Sequence, residues 1–130
     1  MSRQMTSPSV RSNVGLLYAY KTPMLRLQPF RYAYGIVFRD LSMSLEEVGH
    51  VCINAFPKDR ELNIEYFEVD ERFRGRGYGR EMYEWVEEYA RRRGMEQIIL
   101  YPKESAEGFW RKMGFKRPSM FMLEMAKALS

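Results

Sequence analysis

The sequence predicts one mixed α/β domain, in which a mostly antiparallel central sheet contains one parallel, splayed pair of strands and is flanked by helices. Before residue 70, short segments with alternating apolar side chains are typical of strands joined by turns. After it, a long amphipathic segment over residues 78–93 separates two strand-like segments. A strand–helix–strand unit of this kind places its two strands parallel, which gives the sheet its mixed character.

Composition sets the class of protein. Of the 130 residues, 45% are apolar and 29% are charged, the balance of a soluble globular protein. We expect a flexible tail over residues 1–14 and a single domain over 15–130. No apolar stretch reaches the ~20 residues of a membrane-spanning helix, and the N-terminus lacks the apolar core of a signal peptide. We therefore expect a cytoplasmic protein with no membrane partner.

The charge and the cysteine content limit the kinds of ligand that the chain can bind. The net charge of +4 fits an anionic ligand. With one cysteine and one histidine, the chain forms no intrachain disulfide and has no zinc site built from several such ligands. We expect no metal cofactor.

Four strands are predicted before residue 70. Residues 15–20 are predicted to form a short strand, and residues 30–38 another, since in 30–38 apolar or aromatic side chains occupy every second position. This aromatic row belongs to the core or to a subunit contact. Residues 41–45 form a turn. Strands over 48–56 and 62–69, joined by a short polar turn, suggest an antiparallel hairpin.

The second half of the chain predicts helices and two more strands. Apolar side chains recur at helical spacing over residues 78–93, and Gly94 ends that helix. A buried strand follows over 97–101, then a short helix over 105–113 with Ser105 as its N-cap. The last strand covers residues 121–129, although Met122, Met125 and Leu129 would also suit a helix.

A glycine-rich basic loop, R-F-R-G-R-G-Y-G-R over residues 72–80, precedes the long helix. Glycines let a ligand approach the main chain, and the N-terminus of a helix attracts anions, phosphate above all. Two common phosphate motifs fail here. The dinucleotide-binding fingerprint G-x-G-x-x-G is not matched, because its third glycine position is Arg80 or Met82, depending on the starting glycine. The Walker motif is not matched either, because no G-K-[ST] follows.

Three segments resemble the GCN5-related N-acetyltransferase (GNAT) family. Residues 74–79, R-G-R-G-Y-G, resemble its [Q/R]-x-x-G-x-[G/A] pyrophosphate loop. Residues 106–115, A-E-G-F-W-R-K-M-G-F, resemble its A-x-x-[FL]-[YF]-x-K-x-G-F segment, and M-A-K-A-L over 125–129 resembles its closing strand. The resemblance covers about residues 46–129 and implies acetyl-CoA as donor, an amine as acceptor and direct transfer without an acyl-enzyme.

The resemblance implies which residues bind the donor. The pyrophosphate would be held mostly by the backbone of the loop, Arg74, Gly75, Arg76, Gly77, Tyr78, Gly79 and Arg80. The pantetheine arm would pair with the end of the third strand, Phe67, Glu68 and Val69. In this scheme the Val69 N–H polarises the thioester carbonyl.

The sequence indicates the general acid and the general base less clearly than it indicates the donor site. Strand alternation places Glu65 on the same face as Val69, so Glu65 is our choice of general base, with His50 as the other candidate. Many relatives have Tyr as general acid where this chain has Trp110, whose indole cannot serve as that acid. Three tyrosines are unranked replacements: Tyr66, Tyr83 and Tyr101.

Trp110 could still pack against the pantetheine or acyl end, and Lys103 stands where relatives often have a hydrogen-bonding side chain. The short segment 40–47 leaves the helices that usually precede the second strand reduced or missing, so we expect an open acceptor cleft or one completed by another subunit.

The function predicted first is acetyl-CoA-dependent N-acetyltransferase. A non-catalytic acyl-CoA-binding module on the same fold is the alternative, motivated by Trp110 and the missing helices. With less support, the basic first 40 residues and the arginine cluster would suit a nucleic-acid-binding protein. The acceptor amine stays open, and the resemblance also allows a homodimer.

Overall fold

The computed structural model describes residues 26–33, 35–42 and 46–129. The predicted tail and the predicted strand over 15–20 lie outside these ranges. The strands and α-helices are β1 (Gln28–Tyr32), β2 (Gly35–Arg39), β3 (Glu47–Phe56), β4 (Glu61–Val69), α1 (Tyr78–Arg92), β5 (Gln97–Leu100), α2 (Glu107–Lys112) and β6 (Met125–Ala128). Short 3-10 helices cover Pro57–Asp59, Glu71–Phe73 and Glu104–Ala106.

The strands of the described chain form one six-stranded sheet in chain order, from β1 to β6. β1 with β2, β2 with β3 and β5 with β6 are antiparallel, whereas β4 and β5 are parallel. The predicted mixed, mostly antiparallel sheet is therefore confirmed. The parallel ladder pairs Glu61–Ile64 with Gln97–Leu100, and β4 continues beyond it to Val69.

The single strand predicted over residues 30–38 is wrong, because the chain reverses after Tyr32 and forms the antiparallel pair β1–β2. Tyr32 pairs with Gly35, so Phe30 lies opposite Val37 and shares its face rather than that of Phe38. The apparent aromatic row is thus divided between two faces. Glycine is required after the turn, because a Cβ at position 35 would lie 2.6 Å from the Val51 carbonyl oxygen.

Helix α1 follows the prediction closely, over Tyr78–Arg92 instead of 78–93. Its predicted apolar face is buried, and it comprises Tyr78, Met82, Trp85, Val86 and Tyr89. Two i,i+4 ion pairs, from Glu87 to Arg91 at 2.8 Å and from Glu88 to Arg92 at 2.7 Å, lie on the helix surface.

The elements that follow α1 are shorter than predicted. Instead of one helix over 105–113, a 3-10 turn at Glu104–Ala106 leads into α2, and Ala106, not Ser105, occupies its N-cap without a side-chain hydrogen bond. The last strand is only β6, and Phe121, in the segment before it, is 90% exposed. Before Pro57, residues 26–33, 35–42 and 46–56 contain no α-helix.

The chain divides into two compact units, Met1–Cys52 with Tyr66–Trp85 and Ile53–Glu65 with Val86–Ser130. In the core of the first unit, the rings of Phe38 and Trp85 meet edge to face with centroids 5.6 Å apart. In the second unit, Trp110 packs in the same way against Phe115, at 5.3 Å. Within the ranges described, no helix is both long and apolar enough to cross a membrane.

Candidate functional site

The end of β4 is fixed where it turns into the glycine loop. The Asp70 carboxylate accepts hydrogen bonds from the backbone N–H of Arg72 at 2.9 Å and from its Nε at 3.0 Å. The side-chain hydrogen bond from Arg72 is the main reason that the pKa of Asp70 is lowered. On the main-chain side, the Asp70 N–H donates to the Val48 carbonyl oxygen at 2.7 Å.

The loop itself combines two left-handed glycines with the start of α1. Gly75 has φ 79° and Gly77 has φ 84°, conformations that other residues rarely adopt. Nothing lies within 4 Å of a Cβ built at Gly75, so conformation rather than space requires glycine there, and the main chain is open to an approaching ligand. The first N–H groups of α1, which begins at Tyr78, have no acceptor within the helix, and the helix dipole adds positive potential.

Arg26 holds this loop from a distant part of the first unit. Its Nη2 donates to the Arg76 carbonyl oxygen at 2.8 Å, and its guanidinium lies 4.4 Å from the ring centroid of Tyr78. Its backbone N–H donates to Glu81 Oε1 at 2.8 Å, and its side chain forms an ion pair with the same carboxylate. Glu81 stands in the first turn of α1, so Arg26 neutralises the acidic side chain nearest to the anion-attracting end of the helix.

A buried hydrogen bond anchors the first residue of α1. The Tyr78 hydroxyl, in a side chain only 1% exposed, donates to Asp40 Oδ2 at 2.8 Å, and Asp40 is 3% exposed. Ser42 donates to the other carboxylate oxygen of Asp40 at 2.6 Å through its hydroxyl. The hydrogen bond from Ser42 is the largest cause that lowers the pKa of Asp40, and burial is the largest cause that raises the pKa of Tyr78.

Sequence reasoning missed both Arg26 and Asp40. Each contacts a residue far along the chain, Tyr78 or Glu81, and neither lies in a motif. No local pattern indicates such contacts, because they depend on the folded path of the chain.

Arg74, the first residue of the family motif, turns back from the loop toward β4. Its Nε donates to the Val69 carbonyl oxygen at 3.0 Å, and its Nη2 lies 3.4 Å from Glu68 Oε2. The Tyr66 hydroxyl donates to the other oxygen of Glu68, which is the main reason that the pKa of Tyr66 is raised. The first unit thus brings together the end of β4 and the start of the loop.

His50 lies next to this group in the first unit. Its ring centroid is 5.4 Å from that of Tyr66, and its Nε2 is 3.7 Å from the sulfur of Cys52. The predicted second candidate for the base therefore contacts β4 through Tyr66.

The other predicted site residues belong to the second unit. Glu65 is exposed, and the Asn54 side-chain amide donates to its Oε2 at 3.2 Å. Lys103 is exposed and immediately precedes the 3-10 turn at Glu104–Ala106. Trp110 is only 5% exposed and packs within the aromatic cluster of this unit, which is a core position.

The described residues contain no group of three or more His, Cys, Asp or Glu side chains that could hold a metal ion. The polar groups around the glycine loop are backbone N–H groups and exposed arginines, which are typical ligands of phosphate oxygens.

The glycine loop, its position between a strand and a helix, and the mixed sheet define a class of acyl-transferring proteins. The chain belongs to the acetyltransferase (GNAT) family, whose family model matches residues 19–115. No curated protein matches the sequence significantly.

Solved structures share the fold at low sequence identity. Tetrahymena GCN5 is 15% identical with a TM-score of 0.63, and the match covers 76% of this chain and 71% of that one. Ard1 from Thermoplasma volcanium is 23% identical with a TM-score of 0.62, covering 74% of this chain and 70% of that one. The PaiA N-acetyltransferase from Thermoplasma acidophilum, in complex with coenzyme A, is 14% identical with a TM-score of 0.61. That match covers 72% of this chain and 58% of PaiA.

Proposed function

We propose that this protein is an acetyl-CoA-dependent N-acetyltransferase that moves an acetyl group directly to an amine of a peptide, a protein or a small molecule. The observation that carries the proposal is the loop geometry, in which Gly75 and Gly77 in left-handed conformations open the backbone directly before a helix N-terminus. Family membership and the coenzyme A complex of the PaiA structure support the choice of donor.

Acetyl-CoA supplies an acetyl group activated as a thioester. In the proposed complex, the backbone N–H groups from Gly75 to Arg80 bind the pyrophosphate, with the exposed side chains of Arg76 and Arg80 beside them. The main-chain groups from Phe67 to Val69, which lie beyond the β4–β5 ladder, bind the pantetheine arm as an added strand would.

The transfer then requires one hydrogen-bond donor and one proton acceptor. The Val69 N–H donates to the thioester carbonyl oxygen and stabilises the negative charge that develops there. Glu65, or alternatively His50, accepts a proton from the attacking amine, directly or through water. A carbon–nitrogen bond forms and the carbon–sulfur bond breaks, so Cys52 is not needed as a nucleophile.

The departing CoA thiolate also needs a proton. Trp110, which stands where many relatives have a tyrosine acid, is buried and its indole is not an acid of the required strength. We assign this proton to water or to one of three tyrosines elsewhere in the chain, Tyr66, Tyr83 or Tyr101. The buried Trp110 is also the observation that favours the second candidate function, a non-catalytic acyl-CoA-binding module.

Thermal unfolding with acetyl-CoA, ATP or NAD tests the proposal without knowledge of the acceptor. A ligand at about one hundred times its dissociation constant stabilises the folded protein by roughly 2.7 kcal/mol. For a domain of this size we expect acetyl-CoA alone to raise the midpoint by several degrees. A soluble, cooperatively unfolding protein that acetyl-CoA fails to stabilise would contradict the proposal. Binding without transfer to any amine would favour the non-catalytic module.

A further inference from the structure

We propose that Arg74 is a positioning residue, which fixes the peptide group at the end of β4, and that it is not a phosphate ligand. This inference rests on the proposed function, in which the adjacent Val69 N–H polarises the acyl carbonyl. Its basis is the Arg74 side chain, which donates to Val69 and Glu68 on the strand before the loop.

Both polar atoms of one peptide group are held. The carbonyl of Val69 accepts from Arg74 Nε at 3.0 Å, and the N–H of Asp70, on the same peptide plane, donates to the Val48 carbonyl oxygen at 2.7 Å. With both sides bonded, the plane cannot rotate without breaking a hydrogen bond. This restricts ψ of Val69, one of the two dihedral angles that relate the held peptide group to the preceding one, which carries the Val69 N–H.

The arginine is itself held in this conformation. Its Nη2 reaches the Glu68 carboxylate at 3.4 Å, and the Tyr66 hydroxyl donates to the same carboxylate. A solvent-exposed ion pair alone contributes little, but here it aligns a guanidinium that also makes a hydrogen bond to the backbone. The forked arrangement of the guanidinium N–H groups allows both contacts at once, which a lysine ammonium would not reproduce in the same plane.

The arginines of the loop therefore have different roles. Arg74 uses Nε and Nη2 on β4, whereas the exposed Arg76 and Arg80 make no such contact with Val69. Loss of the Arg74 side chain should therefore impair polarisation of the acyl carbonyl while leaving CoA affinity nearly unchanged.

The test compares Arg74→Met with Arg72→Met in the full-length protein. Arg72 is the control, because it is an exposed arginine next to the same strand end whose side chain binds the side chains of Asp70 and Glu46 and lies over the Phe73 ring, whereas Arg74 donates to the Val69 carbonyl oxygen. Infrared spectra of bound acetyl-CoA, labelled with 13C at the acetyl carbonyl, report polarisation as a shift of the carbonyl band to lower frequency than in free acetyl-CoA. Calorimetry with CoA gives the dissociation constant.

We expect wild type and Arg72→Met to show the shifted band, and Arg74→Met to lose most of the shift. Its dissociation constant for CoA should stay within about threefold of the wild-type value, because no phosphate contact is removed. Arg74→Gln, which retains one donor for the Val69 carbonyl, should restore part of the shift and serves as the second variant if Arg74→Met does not fold.

An unchanged band in Arg74→Met, with a dissociation constant raised by about tenfold or more, would make Arg74 a phosphate ligand and overturn the inference. An unchanged band with unchanged affinity would overturn it as well. If wild type does not bind acetyl-CoA, the proposed function itself fails. Amide hydrogen exchange of the free protein then separates the two. If the Asp70 amide exchanges faster in Arg74→Met than in Arg72→Met, Arg74 restrains the peptide group at the end of β4 as proposed. Equal exchange rates in the two variants overturn the inference.

Discussion

The two α-helices of the described residues begin in different ways. Helix α1 follows two left-handed glycines, and its first-turn residues are tied to distant parts of the first unit, Tyr78 to Asp40 and Glu81 to Arg26. Helix α2 follows a 3-10 turn, has no side-chain cap and carries a first-turn carboxylate, Glu107, that pairs with Arg111 and Arg117. A helix start therefore becomes suited to a phosphate only where the loop leaves its N–H groups accessible and nearby acids are neutralised.

A negative charge placed at each helix start tests whether only the start of α1 is suited to a phosphate. Gly77→Asp places a carboxylate in the α1 loop and should abolish CoA binding, measured by calorimetry. Gly108→Asp, in the first turns of α2, is the matched control. Nothing lies within 4 Å of a Cβ at Gly108, so it should bind CoA as wild type does. Gly77→Asn adds a side chain of similar size without the charge, so it separates the effect of charge from that of backbone strain at this left-handed position.

Retained affinity in a folded Gly77→Asp protein would mean that the loop is not the anion site. Equal losses in Gly77→Asp and Gly108→Asp would remove the distinction between the two helix starts.

A second prediction concerns chemistry outside both helix starts. Glu65→Gln should leave CoA affinity unchanged and slow acetyl transfer by up to about a hundredfold, if the carboxylate is the base. The measurement is the pH dependence of kcat/KM for any amine that accepts acetyl. The control is Asn54→Ala, which removes only the neighbour that donates to Glu65. An unchanged pH–rate profile would move the role to His50 or to water.

A third prediction concerns stability at the start of α1. Tyr78→Phe removes the donor to a buried carboxylate and should lower the free energy of unfolding by about 1–3 kcal/mol. Urea unfolding at neutral pH measures this, with Tyr32→Phe as the control, since the exposed Tyr32 hydroxyl contacts only Arg39 in the hydrogen bonds of the described chain. Equal effects of the two substitutions would contradict a special role for the buried bond.

The pH dependence of the same bond has a defined sign. The pKa of Asp40 is lowered from its ordinary 3.8, so the carboxylate stabilises the folded protein above that pH. This contribution is lost as the pH falls through the lower, folded-state pKa. The difference in unfolding free energy between wild type and Tyr78→Phe should therefore shrink below about pH 4.

The smallest effect is expected at the start of α2. Hydrogen bonds from Arg117 and Arg111 lower the pKa of Glu107 to about 2, but each of the three side chains keeps some solvent contact, so salt screens the pairs. Glu107→Gln should lower the unfolding midpoint slightly at low ionic strength and not at high salt. The loss in Tyr78→Phe should persist at high salt. If salt abolishes both losses, the two helix starts are held by the same kind of interaction.

The parts that sequence predicted are those with a local physical cause. Helix α1 was recognisable because its buried face repeats every three to four residues, and the loop because three glycines and a helix start lie together in the chain. The strand over 30–38 was predicted wrongly because apolar alternation continues through the turn between Tyr32 and Gly35, although the side chains exchange faces there. Gly35 was the available signal for that turn.

In the site, contacts between distant segments could not be predicted. Arg26 reaches the carbonyl of Arg76, and Asp40 receives the hydroxyl of Tyr78, through the folded path of the chain. The direction of Arg74 was equally hidden, since its place in the motif predicts a loop residue but not a side chain turned back to Val69.

The bond between Tyr78 and Asp40 has a consequence for how this sequence can change over time. Tyr78 occupies a variable position of the family motif, yet here its buried hydroxyl donates a hydrogen bond to Asp40, the residue after β2. Substitution of either partner alone leaves the other without its bond, whereas a double replacement by apolar residues removes both groups. Among close homologues, positions 40 and 78 should therefore covary, with tyrosine accompanied by an acid and phenylalanine by an uncharged residue.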